Sequence, residues 1–281
     1  MTYENPILPG FYPDPSICRV GEDYYLVNSS FEFFPGVLLW HSRDLLHWEQ
    51  LGYVLTRESQ LPLVDCRPSG GIFAPTIRYH DGRFYMITTN VTGGGNFFVW
   101  TDDIRGEWSD PIWIDHQGID PSLFWDADGK VYYTGTHTDE NGNNCIGQFE
   151  IDLETGAKLS ETKCIWYGTG GKCPEGPHMY RIGNWYYLMI AEGGTEYGHM
   201  ETIARSRSVW GPFESCPHNP ILTHRNAHRV EFQALGHADL VETPEGKWWM
   251  VFHGIRPSVF MLHHTGRETM IAPVTWDENG W

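Results

Sequence analysis

The sequence predicts an all-β fold, a five-bladed β-propeller formed as one domain over residues 1–281. Three observations predict it. A short motif recurs five times, opening at Pro13-Asp14-Pro15-Ser16, Phe73-Ala74-Pro75-Thr76, Ile119-Asp120-Pro121-Ser122, Glu175-Gly176-Pro177-His178 and His237-Ala238-Asp239-Leu240. Each copy runs on through a hydrophobic stretch, a Gly-centred turn and an aromatic-rich stretch. No segment shows a sustained 3.6-residue apolar period capped at both ends, so helices should be few and short.

The motifs start 60, 46, 56 and 62 residues apart. Repeats of about this length form solenoids or propellers, and units made of strands point to four-stranded blades around a channel. A β-solenoid would need tighter repeats. In chain order, the strand-type segments after the turns are Tyr24–Val27, Phe84–Thr88, Val131–Thr134, Trp185–Ile190 and Trp248–Phe252. Aromatic and β-branched residues dominate them. Asp81-Gly82 and Asp128-Gly129 are hairpin signals, because Gly and Asp accept positive φ cheaply.

The first strand of a propeller blade lines the axis, so matched repeat positions converge there. Those positions are Asp14, Ala74, Asp120, the Glu175-Gly176 pair and the His237-Ala238 pair. Three carboxylates, an imidazole and an alanine would then share one pocket. An Asp before Pro also initiates turns, but that alone explains poorly why acids recur at matched places in three repeats.

Composition narrows the function. Formal net charge is −17, from 19 basic and 36 acidic side chains. That argues against nucleic acid and against an anionic membrane surface as partners, and it suits a neutral substrate. Trp, Tyr and Phe number 13, 14 and 14, enough for both blade packing and a sugar-binding pocket. Six cysteines occur without a CxxC pair, so a structural zinc site is not expected. The N-terminus has no basic region followed by an apolar run, so no signal peptide is visible. The thiols are therefore expected to be reduced and the compartment cytoplasmic, with secretion not excluded. Gly171-Lys172-Cys173 lacks the upstream Gly and the Ser/Thr of a P-loop, which argues against nucleotide binding. His-Glu-x-x-His and Gly-x-Ser-x-Gly are both absent. Ser258–His264 combines apolar and His residues and has no assigned role.

The long ordered motifs Asn5–Ser16, Gly71–Pro75, Gly118–Phe124, Pro174–His178 and Gly266–Thr269 resemble glycoside hydrolase family 43. The similarity runs from about Asn5 to Trp281. It is closest to β-xylosidase and α-L-arabinofuranosidase members. The resemblance implies a five-bladed propeller, in agreement with the repeat count. It also implies that Asp14 is a general base activating water, that Glu175 is the general acid, and that Asp120 adjusts and orients the acid. An inverting pair of this kind is separated by roughly 6.5–9.5 Å to admit the water. By the same resemblance Arg267 contacts sugar hydroxyls, and Phe31 and Phe73 form the aromatic wall, although relatives often carry Trp in place of Phe73. His237 resembles an axial His that touches substrate and, in some members, stands near a channel Ca²⁺ held mostly through water. No cofactor is expected for the chemistry. The nearest relatives continue into a C-terminal β-sandwich absent from this chain. The last blade is accordingly expected to be short of a strand, with an unpaired edge.

The expected function is inverting, exo-acting release of β-D-xylose or α-L-arabinofuranose from neutral hemicellulose oligosaccharides. Three alternatives stand beside it: a retaining fructan- or sucrose-acting propeller, a non-catalytic sugar-binding propeller, and a protein-interaction propeller. The last would place functional residues on the rim and not at the axis.

Overall fold

A computed structural model describes residues 3–228, 230–259 and 262–281. Two residues of the Ser258–His264 stretch, Phe260 and Met261, lie outside the described residues. Among the described residues there are twenty strands and no helix.

The strands form five antiparallel sheets in sequence order. Blade 1 holds β1 (Ser16–Val20), β2 (Asp23–Asn28), β3 (Gly36–Ser42) and β4 (Glu49–Leu55). Blade 2 holds β5 (Thr76–His80), β6 (Arg83–Asn90), β7 (Gly95–Thr101) and β8 (Ile112–Ile114). Blade 3 holds β9 (Ser122–Trp125), β10 (Val131–Thr138), β11 (Asn144–Glu150) and β12 (Lys163–Trp166). Blade 4 holds β13 (Glu175–Ile182), β14 (Trp185–Glu192), β15 (Met200–Ser206), and the short β16 (Glu214–Ser215) and β17 (Leu222–Thr223), both paired with β15. Blade 5 has three strands, β18 (Gln233–Glu242), β19 (Trp248–Ile255) and β20 (Arg267–Val274). The innermost strands meet in the cyclic order β1, β5, β9, β13, β18 and back to β1, which closes the ring. Every aromatic-rich segment read from the sequence is the second strand of its blade.

Both faces of each blade are apolar, and strand alternation explains how. Successive side chains of a strand point to opposite faces. On β6, Phe84 and Met86 pack toward blade 1, while Tyr85 and Ile87 pack toward blade 3. On β14, Leu188 and Ile190 join the blade 3 side, and Tyr187 and Met189 the blade 5 side. Five apolar clusters result, one between each neighbouring pair, and the cluster of Leu8, Ile17, Leu26, Val251 and Ile271 joins blades 5 and 1.

The expectation of an unpaired last edge is corrected. The N-terminal segment lies along β20: Leu8 and Thr269 exchange backbone hydrogen bonds, and Tyr12 N–H donates to Arg267 O at 2.9 Å. The Asn5 amide completes the seal, donating to Ile271 O and accepting from Ile271 N–H, both at 2.9 Å. The expectation of six reduced thiols is corrected as well, because Cys145 on β11 and Cys164 on β12 are bonded across neighbouring strands. The separation of 19 residues carried no sign of this pairing. Cys18, Cys66, Cys173 and Cys216 are free.

A buried ion pair crosses the channel below the motif positions. Asp239 of β18 takes a two-pronged contact from Arg78 of β5, at 2.7 and 3.1 Å. Its oxygens also accept from Ser16 Oγ (2.6 Å), Ile17 N–H (3.0 Å) and Tyr180 Oη (2.6 Å). Arg78 Nη2 meets His178 Nδ1 at 2.8 Å. One carboxylate and one guanidinium thus tie blades 1, 2, 4 and 5. Thr76 Oγ1 links blade 2 to blade 3 by donating to Pro121 O at 2.9 Å.

Burial opposes ionisation of Asp239, but Arg78 and His178 outweigh it and hold the carboxyl well below its usual range. The stability from this depressed group is present above the unfolded value, about 3.9, and lost as pH falls below it. Asp239→Asn leaves Arg78 buried without its counter-charge and should cost about 3–5 kcal/mol. Urea unfolding at pH 7 measures this. The difference from wild type should shrink below about pH 4, and a loss under about 1 kcal/mol at pH 7 would show that the clamp is not needed.

Candidate active site

The same backbone device presents the motif residues at the channel mouth. Asp14, Asp120, Gly176 and His237 all occupy the left-handed region, with φ of 53°, 55°, 58° and 53°. For a residue other than Gly that conformation costs roughly 1–3 kcal/mol and persists only where the surroundings enforce it. The pairing register shifts between Glu175 and His178 and again between Gly236 and Asp239. Such bulges re-aim side chains. The shared φ also refines the register: His237 matches Gly176, so Glu175 stands one residue ahead of Asp14 and Asp120. Gly176 gives the His237 ring room, because a Cβ there would come within 3.1 Å of it.

Asp14 is buried and fully engaged. Asn28 Nδ2 and Ser29 N–H donate to Pro13 O, and Thr269 Oγ1 donates to Tyr12 O, which fixes the turn that carries it. Ser29 Oγ donates to Asp14 Oδ2, and Arg267 Nη1 donates to Oδ1, both at 2.5 Å. The His253 ring lies behind, with Nδ1 accepting from Asp14 N–H at 3.1 Å and standing 3.0 Å from Oδ1. His237 Nδ1 is 3.8 Å from Oδ1. Burial opposes the charge on Asp14, but the Arg267 guanidinium leads the interactions that outweigh it and hold the carboxyl well below the usual carboxylate range.

Glu175 has the opposite environment. Burial and then the negative charge of Asp14 push it up to about 7, against the weaker pull of Arg267 and Lys172. Asp120 is pushed up as well, by burial and then by the charges of Glu175 and Asp14, while Gly176 N–H donates to it. The pocket therefore keeps one carboxylate ionised against Arg267, and two others hold protons to higher pH.

The aromatic wall is larger than the sequence reading. Phe31 and Phe73 meet edge to face at 5.5 Å, and Phe31 also packs on Phe11 at 5.8 Å. Phe11 in turn meets Phe33 at 6.2 Å. The Arg267 guanidinium lies 5.4 Å from the Phe31 ring centre. The structure thus brings Asp14, His237, Arg267, Phe31 and Phe73 into one contiguous cluster. Asp120 and Glu175 are coupled to it through Asp14 and Gly176. Sequence reasoning missed Ser29, His253 and Phe11. Ser29 and His253 lie outside the repeated motif, and no pattern marks them. Phe11 lies within the Asn5–Ser16 motif, yet only the fold shows it facing the wall.

Two other sequence features find their place. The loop that resembles a P-loop encloses the chain's own carboxylate. Thr169 N–H and Gly171 N–H donate to Glu192, as do the hydroxyls of Thr169 and Thr202. Asn28 and Asn90, each followed by a sequon pattern, are fully buried.

The channel histidines do not fit a protein-ligated calcium. Calcium takes roughly six to eight oxygen ligands. The rings of His199, His253 and His237 follow one another at 5.1 and 5.7 Å, both Asp239 oxygens are occupied, and burial pushes Glu201 well up. Among the described residues no group of three His, Cys, Asp or Glu side chains could hold a metal.

Comparison with known proteins decides the family. The model of "Glycosyl hydrolases family 43" matches residues 3–281. This chain belongs to that family. It is 50% identical over 284 residues to a non-reducing end α-L-arabinofuranosidase of Bacteroides ovatus, covering 100% of this chain and 53% of the relative. It is 50% identical over 288 residues to a xylosidase/arabinosidase of Butyrivibrio fibrisolvens, covering 99% and 55%. The solved xylan β-1,4-xylosidase from Bacillus halodurans superposes with a TM-score of 0.94 at 43% identity, over 100% of this chain and 56% of that one. The chain therefore spans about half the length of the curated relatives it matches.

The raised value of Glu175 has a stability consequence. A carboxyl raised from 4.5 to about 7 binds its proton more tightly in the folded state. Its contribution is present below the unfolded value and lost as pH rises through about 7. Glu175→Gln removes the buried charge. The variant should therefore be more stable than wild type at pH 8, with the gap closing toward pH 5, as thermal unfolding across that range will show. An equal gap at both values would mean that Glu175 is not raised.

Proposed function

We propose that this family 43 propeller is an inverting, exo-acting glycoside hydrolase that releases single pentoses, β-D-xylose or α-L-arabinofuranose, from neutral hemicellulose oligosaccharides. One observation carries the reading. Two carboxylates of one pocket are driven in opposite directions, Asp14 well below its usual range and Glu175 up to about 7. A pair divided in this way supplies a base and an acid at the same pH. The names of the relatives, arabinofuranosidase and xylosidase/arabinosidase, support the pentose class.

In this reading Asp14 takes a proton from a water as its oxygen attacks the anomeric carbon. Glu175 gives its proton to the glycosidic oxygen as that bond breaks. Water has then supplied the hydroxyl of the new anomeric centre and, through the two carboxyls, the proton of the leaving group. Solvent exchange returns both acids to their starting states. Acid and base both come from the chain, so neither step needs a cofactor. Asp120 orients the Gly176 turn through the N–H it accepts, and so the acid beside it. Arg267 spends one N–H on Asp14 and turns the rest of its fork toward the sugar, above the Phe31 ring. A five-donor planar group suits vicinal hydroxyls. His237, pushed down by burial, stays neutral and lines the pocket between Asp14 and Gly176.

Glu175→Gln and Asp14→Asn should each cut turnover of aryl β-xyloside and aryl α-arabinofuranoside by about 10²–10⁴-fold while leaving the fold intact. Near-normal rates in either variant would refute the assignment. Early-time proton NMR of the released sugar should show the inverted anomer, since water and leaving group occupy opposite faces of the sugar. A retained anomer would move the chain to the fructan-type mechanism with a carboxylate nucleophile.

A further inference from the structure

Two cavities open on the Glu175 side of the pocket and share a floor. The first, about 320 Å³, extends from Glu175 and Cys173 to His137 and Asn144. The second, about 730 Å³, extends from Asn90 to Trp113. Gln117, Gly118 and Ile119 line both, so the two cavities adjoin along the segment that passes from blade 2 to blade 3. Each lies within the roughly 300–1,000 Å³ of ligand sites.

The groove is a built feature. Ile119 N–H donates to Thr136 Oγ1 at 2.7 Å, and Thr136 N–H returns to Ile119 O at 3.0 Å. Asn96 Nδ2 donates to the carbonyls of His116 and Gly118. Gly118 has φ of +125°, and a Cβ there would strike the Thr136 carbonyl, so the close approach of this segment to β10 requires Gly. Trp113 closes the far end. Its ring is braced by Phe97 at 4.8 Å and by Gly94, where a Cβ would collide with it, yet the residue stays 38% exposed. Holding an indole rigid and partly wet costs apolar burial, and it leaves a flat surface of the kind on which a sugar ring can stack.

The chemistry of the lining selects a ligand. It offers amides, hydroxyls, neutral imidazoles, an indole, the Cys173 thiol and the carboxyl groups of Asp115 and Glu175, and it contains no Lys or Arg. An anionic chain finds no counter-charge there. A neutral polyhydroxylated chain finds hydrogen-bonding partners and an apolar platform. The acid stands at the leaving oxygen, so what lies beyond Glu175 holds the leaving group. We propose that the groove from Glu175 to Trp113 is an extended leaving-group site for a neutral xylan-type chain, with Trp113 as its distal sugar platform. This rests on Glu175 being the acid. It holds for either pentose, because a xylose chain is the leaving group of a terminal xyloside and of an arabinose branch alike.

Chain-length kinetics test it. In wild type, kcat/KM for xylotetraose should exceed that for xylobiose by about fivefold or more, roughly 1 kcal/mol of added transition-state binding. Trp113→Ala should bring the ratio near one. Because Trp113 also packs on Phe97, Gln117→Ala at the exposed shared floor serves as a second variant and should lower the same ratio. A thiol probe gives a readout free of turnover. Cys173 is exposed in the groove, and Cys18 and Cys216 are buried, so iodoacetamide in a Cys66→Ser background that also carries Asp14→Asn, which leaves the oligosaccharide uncleaved, reports on Cys173. Xylotetraose should slow its alkylation, and free xylose should not. A wild-type ratio of one together with an unprotected Cys173 overturns the groove. Aryl glycosides carry no sugar beyond the scissile bond. A wild type inert on both aryl β-xyloside and aryl α-arabinofuranoside therefore overturns the proposed activity, whereas one that cleaves them with no length effect overturns the groove alone.

Discussion

The ion pair between Asp239 and Arg78 is the constraint on which the ring depends. A propeller has no continuous sheet around its axis, so neighbouring blades are held by side-chain packing and by whatever crosses the channel. Here a single carboxylate gathers donors from blades 1, 2 and 4 onto blade 5. Every partner is buried or nearly so, and the pair is satisfied on all sides. Such a pair contributes little net stability relative to a well-packed apolar substitute. Its directional demands, though, set the angular position of four inner strands, and the residues just above them on those strands form the pocket.

That position explains how like charges coexist at the mouth. Asp14, Asp120 and Glu175 would repel one another if all were ionised. The fold resolves the conflict with one guanidinium placed on Asp14 and none on the other two. Burial then keeps protons on the remaining pair. The same low polarity that makes the site costly to build separates the acid from the base. The left-handed backbone at Asp14, Asp120 and His237 adds local strain, which the surrounding hydrogen bonds to Pro13 and Tyr12 enforce at the first of these positions.

Much of this was legible in the sequence, for a physical reason. A repeat that recurs at propeller spacing fixes which strands are innermost, so Asp14, Asp120, Glu175 and His237 could be placed together without coordinates. The Asp-Gly pairs at 81–82 and 128–129 marked hairpins, and Asp81, Gly82 and Gly129 have positive φ in the structure. Other features left no local trace. Arg78 sits two residues past the start of an inner strand, and nothing in its own neighbourhood names Asp239, 161 residues away, as its partner. His253 on β19 and Ser29 just past the end of β2 reach Asp14 from places where the repeat pattern records only apolar and aromatic character. The bond between Cys145 and Cys164 depends on a cross-strand register that spacing alone does not fix. The three-stranded fifth blade suggested an open edge, since the residues that seal it stand at the opposite end of the sequence.

That seal bears on the order of events during synthesis. The Asn5–Tyr12 strap can dock only on β20, and Arg267, the first residue of β20, is the cation that keeps Asp14 ionised, 253 residues away. Blades 2 and 3 can bury their second strands against sequence neighbours, whereas one face of β2 and one of β14 wait for blade 5. The pocket cannot acquire its working charge distribution until the last strand has left the ribosome and the two ends of the propeller have met. A nascent chain stalled before Arg267 would carry three acidic groups without their counter-ion, so chemical competence serves as a checkpoint for closure of the ring.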